Sequence, residues 1–233
     1  MTARRLVLFD IDGTLLHSGG AGRRAIRAAL REWLPDDAVF GRVRFDGKTD
    51  PQIVAELLAA AGDPDPTEPD RLAAVCLRYV EALAEELASG TARPAVYPGV
   101  VELLARLEAE AGVVLGLLTG NVAAGAALKL RAAGLDPVRF RLGAYGSDSA
   151  HRPDLPAVAA RRAEPHFGRP PRGAEVVIVG DTPADVTCGR GIGARAIGVG
   201  TGSYAATELA DAGAHAAFAT LEEVDAVLAS ILG

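Results

Sequence analysis

The sequence has little of what builds stapled or membrane-bound folds. It carries only two cysteines in 233 residues. Cys76 and Cys188 lie far apart and neither belongs to a CxxC pair, so neither a disulfide framework nor a structural zinc site is indicated. Both read as small apolar packing residues. No apolar run approaches the roughly 20 residues of a membrane span. The N-terminus is basic, but the apolar run behind it stops at Asp10, too soon for a secretion core, and no small-residue cleavage site follows. The cytoplasm is the expected location. Positive charge is not in excess either: the net charge is −6, which argues against a nucleic-acid-binding surface. There is no internal repeat and no low-complexity tract.

What remains is an ordinary globular composition, 49% apolar and 23% charged, with length for one large domain or two small ones. The stretch that organises it is Leu6-Val7-Leu8-Phe9-Asp10-Ile11-Asp12-Gly13-Thr14-Leu15. A short apolar run of this kind predicts a strand buried on both faces, and Gly13 breaks it. Side chains alternate along an extended chain, which predicts that Asp10 and Asp12 point the same way. Two carboxylates at the exit of a buried strand repel each other. Solvent, a proton or a hard divalent cation with oxygen ligands must offset that cost, and Mg2+ suits a site that keeps waters and a phosphate.

Residues 18–95 read as helix and turn, with no strand. Ile26, Ala29, Leu30, Trp33 and Leu34 form an apolar stripe; Asp50 is placed to cap a second helix and Pro51 to open it; Leu72 to Leu87 carry a third. From Tyr97 strands and helices alternate, with strands expected at 113–118, 141–145, 176–179, 194–199 and 216–218. This order predicts an α/β fold: a Rossmann-like parallel sheet in a three-layer α/β/α core formed by residues 1–17 and 96–233, with an all-helical domain inserted at 18–95. In such sheets ligands gather at the carboxyl ends of the strands. Asp10, Thr119 and Asp181 each stand at such an end.

Asp10-x-Asp12-Gly13-Thr14 resembles the opening motif of the haloacid dehalogenase superfamily, whose members are mostly Mg2+-dependent phosphatases. The resemblance implies that Asp10 attacks phosphorus and Asp12 is general acid/base, with Thr14 near the substrate. Thr119-Gly120-Asn121, between a strand and a helix, resembles the second motif. There Thr119 and the Gly120 and Asn121 amides would hold the phosphoryl group, although helix capping alone would justify the same residue types. Gly180-Asp181-Thr182-Pro183-Ala184-Asp185 resembles the fourth motif. It implies Mg2+ held by Asp10, Asp181 and the Asp12 backbone carbonyl, with Asp185 ligating or orienting the ligands.

The third motif departs from the family pattern. The family normally places a Lys there, and no lysine follows Lys129. His151-Arg152-Pro153 is the nearest match, and Arg152 takes the role, with Arg161 and Arg162 as rivals. The insert has the position of a helical C1-type cap of the phosphoglycolate-phosphatase kind. Lys48, in Gly47-Lys48-Thr49-Asp50, is the candidate substrate-anion contact. The expected activity is hydrolysis of a small phosphate monoester (phosphoglycolate, a sugar phosphate or a nucleotide) through an aspartyl-phosphate. A β-phosphoglucomutase-like mutase, a phospho-acceptor signalling domain and a non-catalytic phospho-ligand-binding protein are the alternatives. Monomer and homodimer are not distinguished by the sequence.

Overall fold

A computed structural model describes residues 4–34 and 36–233. In chain order the elements are β1 (Arg5–Phe9), β2 (Leu16–His17), α1 (Ala21–Ala29), α2 (Asp50–Ala60), α3 (Pro69–Ala88), β3 (Ala95–Val96), α4 (Val100–Ala109), β4 (Val113–Thr119), α5 (Ala123–Ala132), β5 (Leu142–Tyr145), α6 (Leu155–Arg162), α7 (Glu164–Phe167), β6 (Val176–Gly180), α8 (Pro183–Cys188), β7 (Arg195–Val199), α9 (Ala206–Asp211), β8 (Ala216–Phe218) and α10 (Val224–Leu232).

Six strands form one sheet in the order β5-β4-β1-β6-β7-β8, and every pairing in it is parallel. All six strands expected from the apolar runs are present. Alternation explains the layers. Val7, Phe9, Leu115, Leu117, Val177 and Val179 face one way, onto α4, α5 and α10 through Leu103, Leu104, Leu107, Leu130, Val227 and Ile231. Leu6, Leu8, Leu118, Val176 and Ile178 face the other way, onto α6 through Leu155, Ala159 and Ala163. β1 is buried at every residue, as a central parallel strand must be.

The chain winds outward from β1 through β4 to β5, then crosses to β6 on the other side and continues to β8. The winding direction therefore reverses at β1, and a crevice opens at its carboxyl end. Asp10 lies at that point, its N–H donating to Val179 O at 2.9 Å.

Residues 18–95 fold around a hydrophobic cluster with Ile26, Leu30, Val54, Leu57, Leu58, Val75, Tyr79 and Leu83 buried, to which Val122 of the sheet domain also belongs. Trp33 packs there too, with Arg78 stacked 4.8 Å over its ring. Two details differ from expectation. β2 and β3, which the pattern did not indicate, pair antiparallel at the two boundaries of the insert, whose only strand residue among those described is Ala95. Two-residue strands carry no periodicity, so pattern could not reveal them. Asp50 also does not cap its own helix. Thr49 does, its side chain accepting from Gln52 N, and the Asp50 carboxylate reaches the sheet domain instead.

Candidate active site

Three acidic side chains converge at the β1–β6 crevice. Asp10, Asp181 and Asp185 are all buried, and each places an oxygen within 4.8 Å of the others. Their positions follow from the sheet, since Asp10 and Asp181 succeed neighbouring strands held in register by Phe9 and Val179. Asp185 is one helical turn further on. Its Oδ2 accepts from the Thr182 N–H at 3.0 Å and the Thr182 hydroxyl at 2.6 Å, while its N–H bonds back to Thr182 Oγ1. This reciprocal cap fixes the start of α8.

The cation opposite these acids is Arg152. It is 4% exposed, and one nitrogen, Nη2, donates to Asp10 Oδ1 at 3.1 Å and also to Asp185 Oδ1. The rivals lie elsewhere: Arg161 is exposed, and Arg162 is held by Asp148 and the Gly143 carbonyl. Even with Arg152 in place, burial pushes the Asp10 carboxyl up to about 7, Arg152 opposes it, and Asp185 and Asp12 add to the rise. Asp181 is likewise raised, by burial first and then by Asp185 and Asp10. The pocket thus holds more negative charge than its own cation balances.

That surplus is the test of a hard divalent ion. Oxygens around an octahedral Mg2+ lie about 3–4 Å apart, so carboxylates with oxygens within 4.8 Å of one another need only contract modestly to share one. Oxygen-only donors of net negative charge fit Mg2+, with Asp10 and Asp181 free to ligate. Both Asp185 oxygens already accept hydrogen bonds, which suits it to orienting the others.

Asp12 belongs to a second network. Its side chain turns from the acid cluster to accept from Lys129 Nζ at 2.6 Å and Asn121 Nδ2 at 2.9 Å. Lys129 also donates to Asn121 Oδ1 at 2.6 Å, and Asn121 donates to Thr119 Oγ1 at 2.8 Å. Thr119 is fully buried, where its hydroxyl helps to keep Asp10 ionised. Lys129 is 5% exposed. Burial alone would lower its pKa, but Asp12, Tyr79 and Asp50 more than offset that and hold it charged.

Lys129 was missed by sequence reasoning. The signal was present: Lys129 shares the inward face of α5 with Gly125, Ala126 and Leu130, where a lysine needs a buried partner. Asp50 was missed in the same way. It is 6% exposed and comes from the helical insert to accept from Val122 N at 2.8 Å, at the entrance to α5. Its own N–H donates to Gly120 O at 2.7 Å. Burial pushes its carboxyl up to about 6, against the pull of Lys129 and the Val122 N–H.

A cavity of about 280 Å³ joins the two networks beneath the insert. Asp10, Asp12, Gly120, Asn121, Lys129, Arg152 and Asp181 line its floor, and Ile26, Phe45, Lys48, Ile53 and Tyr79 its roof and sides. A Cβ at Gly120 would sit 2.0 Å from the Lys48 carbonyl oxygen. Only glycine lets the loop from the insert lie this low.

A sequence profile of the haloacid dehalogenase-like hydrolases matches residues 7–190. The chain belongs to that family. It is 31% identical over 236 residues to "Probable phosphatase IndB" of Dickeya dadantii, covering 94% of this chain and 91% of the relative. It is also 31% identical over 218 residues to the phosphoglycolate phosphatase of Rhodospirillum rubrum, covering 92% of this chain and 86% of that one. The fold is shared with a hydrolase from Pseudomonas syringae, at a TM-score of 0.74 and 24% identity over 98% of this chain and 99% of the other. It is shared too with CbbY of Rhodobacter sphaeroides in complex with phosphate, at 0.69 and 21% over 96% of each.

Two of the expected substrate-binding residues, Thr14 and Lys48, are held by other protein groups. Thr14 is fully buried and does not line the cavity; its hydroxyl donates to Asp181 Oδ1 at 3.0 Å, holding that carboxylate rather than substrate. Lys48 lines the cavity, but its ammonium is bound to Glu56. The Asp12 carboxylate stands with Lys129 and not in the acid cluster, in keeping with the expectation that its backbone carbonyl and not its carboxylate is offered to a metal. Both Asp10 and Asp12 face the cavity, as the alternation argument expected, but they have different partners.

Proposed function

We propose that this chain is a Mg2+-dependent phosphatase acting on a small phosphate monoester through an aspartyl-phosphate. The observation that carries the reading is the separation of two acids at one cavity. Asp10 sits against Arg152 in the acid cluster, while Asp12 is held apart by Lys129 and Asn121.

The Asp10 carboxylate attacks phosphorus, and the bond from phosphorus to the ester oxygen breaks. Asp12 gives the departing alkoxide a proton from Oδ1, the oxygen that Lys129 and Asn121 leave free, and recovers one in the hydrolysis that follows. A water then attacks the acyl phosphate, Asp12 takes its proton, and the bond between Asp10 and phosphorus breaks to release phosphate. Arg152, Thr119 and the Gly120 and Asn121 amides at the entrance to α5 stabilise the charge on the phosphoryl oxygens. When bound, Mg2+ supplies further positive charge at those oxygens, held by Asp10, Asp181 and the Asp12 carbonyl. Residues 18–95 act as a cap that keeps bulk water from the acyl phosphate. The cavity, at the lower end of the range for ligand pockets, favours a compact ester over a nucleotide. The expected place of action is the cytoplasm.

Phosphate release from a panel of esters, run with Mg2+ and with EDTA beside Asp10→Asn, tests the reading. Release only by the wild-type protein with Mg2+ is expected. Undiminished release by Asp10→Asn would end it.

A further inference from the structure

Tyr79, on α3, lines the cavity and is 1% exposed. Its hydroxyl has no well-formed hydrogen bond among the described residues; the Lys129 ammonium is close enough only for a weak one, which opposes the rise that burial causes. A phenol buried this way recovers little of its lost hydration. Lys129 stands beside it with spare capacity. Of its three N–H groups, one goes to Asp12 and one to Asn121, leaving a third. The two head groups flank the same gap: a methyl built on Gly22 would lie 3.2 Å from Lys129 Nζ and 3.7 Å from the Tyr79 oxygen. Gly22 also lines the cavity.

Two groups able to donate therefore meet at the cavity wall, joined among the described residues by no more than a weak contact. The other side, Ile26, Phe45 and Ile53, is apolar. We propose that Tyr79 and Lys129 form a donor pair for a second oxygen of the leaving group, and that Tyr79 is thereby a specificity-determining residue.

Distance fixes where that oxygen sits. A proton donor must come within about 2.6–3.2 Å of the ester oxygen, and Lys129 Nζ is 2.6 Å from Asp12. Asp12 Oδ2 is taken by Lys129 and Asn121, so Oδ1 exchanges the proton, and the spare N–H lies about two hydrogen-bond lengths and one carboxylate from the ester oxygen. The accepting oxygen therefore belongs on one of the first few carbons beyond the esterified one. A carboxylate and a hydroxyl both meet that requirement. Burial keeps the phenol protonated, as a donor requires.

The inference rests on the phosphatase reading. Its test compares wild type with Tyr79→Phe on two matched pairs of esters: 2-phosphoglycolate against ethyl phosphate, and glycerol 1-phosphate against propyl phosphate. Wild type should prefer the oxygen-bearing member of one pair, and which pair identifies the group. Tyr79→Phe should lower that kcat/KM ratio about 10- to 100-fold. Its thermal midpoint should stay level or rise, because a poorly paired buried hydroxyl has been removed. A ratio that Tyr79→Phe leaves unchanged overturns the donor pair. So does an equal fall for both members with a lower midpoint, which would mark a packing role, or a wild type with no preference in either pair. If wild type releases phosphate from none of the esters, the phosphatase reading fails and takes the donor pair with it.

Discussion

Arg152 donates to Asp10 at 3.1 Å across 142 residues of chain, and the same nitrogen bonds Asp185. One guanidinium nitrogen thus holds two buried acids, one at the end of β1 and one on α8.

Removing that charge strands two carboxylates out of water. Arg152→Met should lower stability by about 3–5 kcal/mol, the usual cost of breaking a buried pair from one side, and should abolish phosphate release. Arg152→Lys should keep most of the stability and measurable activity. A single nitrogen makes both contacts, and among the described residues the Arg152 Nε has no partner to lose. Urea unfolding and phosphate release on both variants check this. Equal loss in the two would mean that guanidinium geometry, not charge, is what the site requires.

Asp50 makes stability depend on pH. Its carboxyl rises from 3.8 in the unfolded chain to about 6 in the folded one, so between those values the folded state binds the extra proton. Its contribution is full below pH 4 and is lost as pH rises through about 6, at roughly 1.4 kcal/mol per pH unit. Asp50→Asn should remove about that much of the downward slope between pH 4 and 6. Unfolding free energies at pH 4.5, 5.5 and 6.5 measure it, and an unaltered slope would show that Asp50 ionises normally.

Gly120 sets how closely the insert can lie on the sheet domain. A Cβ there meets the Lys48 carbonyl at 2.0 Å, so Gly120→Ala should push the 45–50 loop away. Overpacking costs about 1–3 kcal/mol, which predicts a fall of roughly 5- to 150-fold in kcat/KM. The sheet domain contributes no part of the clash except this residue, so its unfolding should change little. Steady-state kinetics and thermal unfolding separate the two effects, and unchanged kinetics would mean that the loop adjusts freely.

The sequence by itself determined the sheet and the place of its site. Runs such as Leu6–Phe9 and Val176–Val179 are apolar on both alternating faces, which only a central parallel strand accommodates. Carboxylates directly after two such runs had to meet if the strands were neighbours, and β1 and β6 are. Nothing in pattern, however, says which cation answers which acid. The tertiary structure chose Arg152 over Arg161 and Arg162, gave Asp12 to Lys129, sent Thr14 to Asp181, and carried Asp50 across to the entrance of α5. The physical reason is one of range. Burial is written locally, in the period of apolar residues along each element. Charge pairing depends on distances between side chains far apart in sequence, and those exist only once the layers have packed.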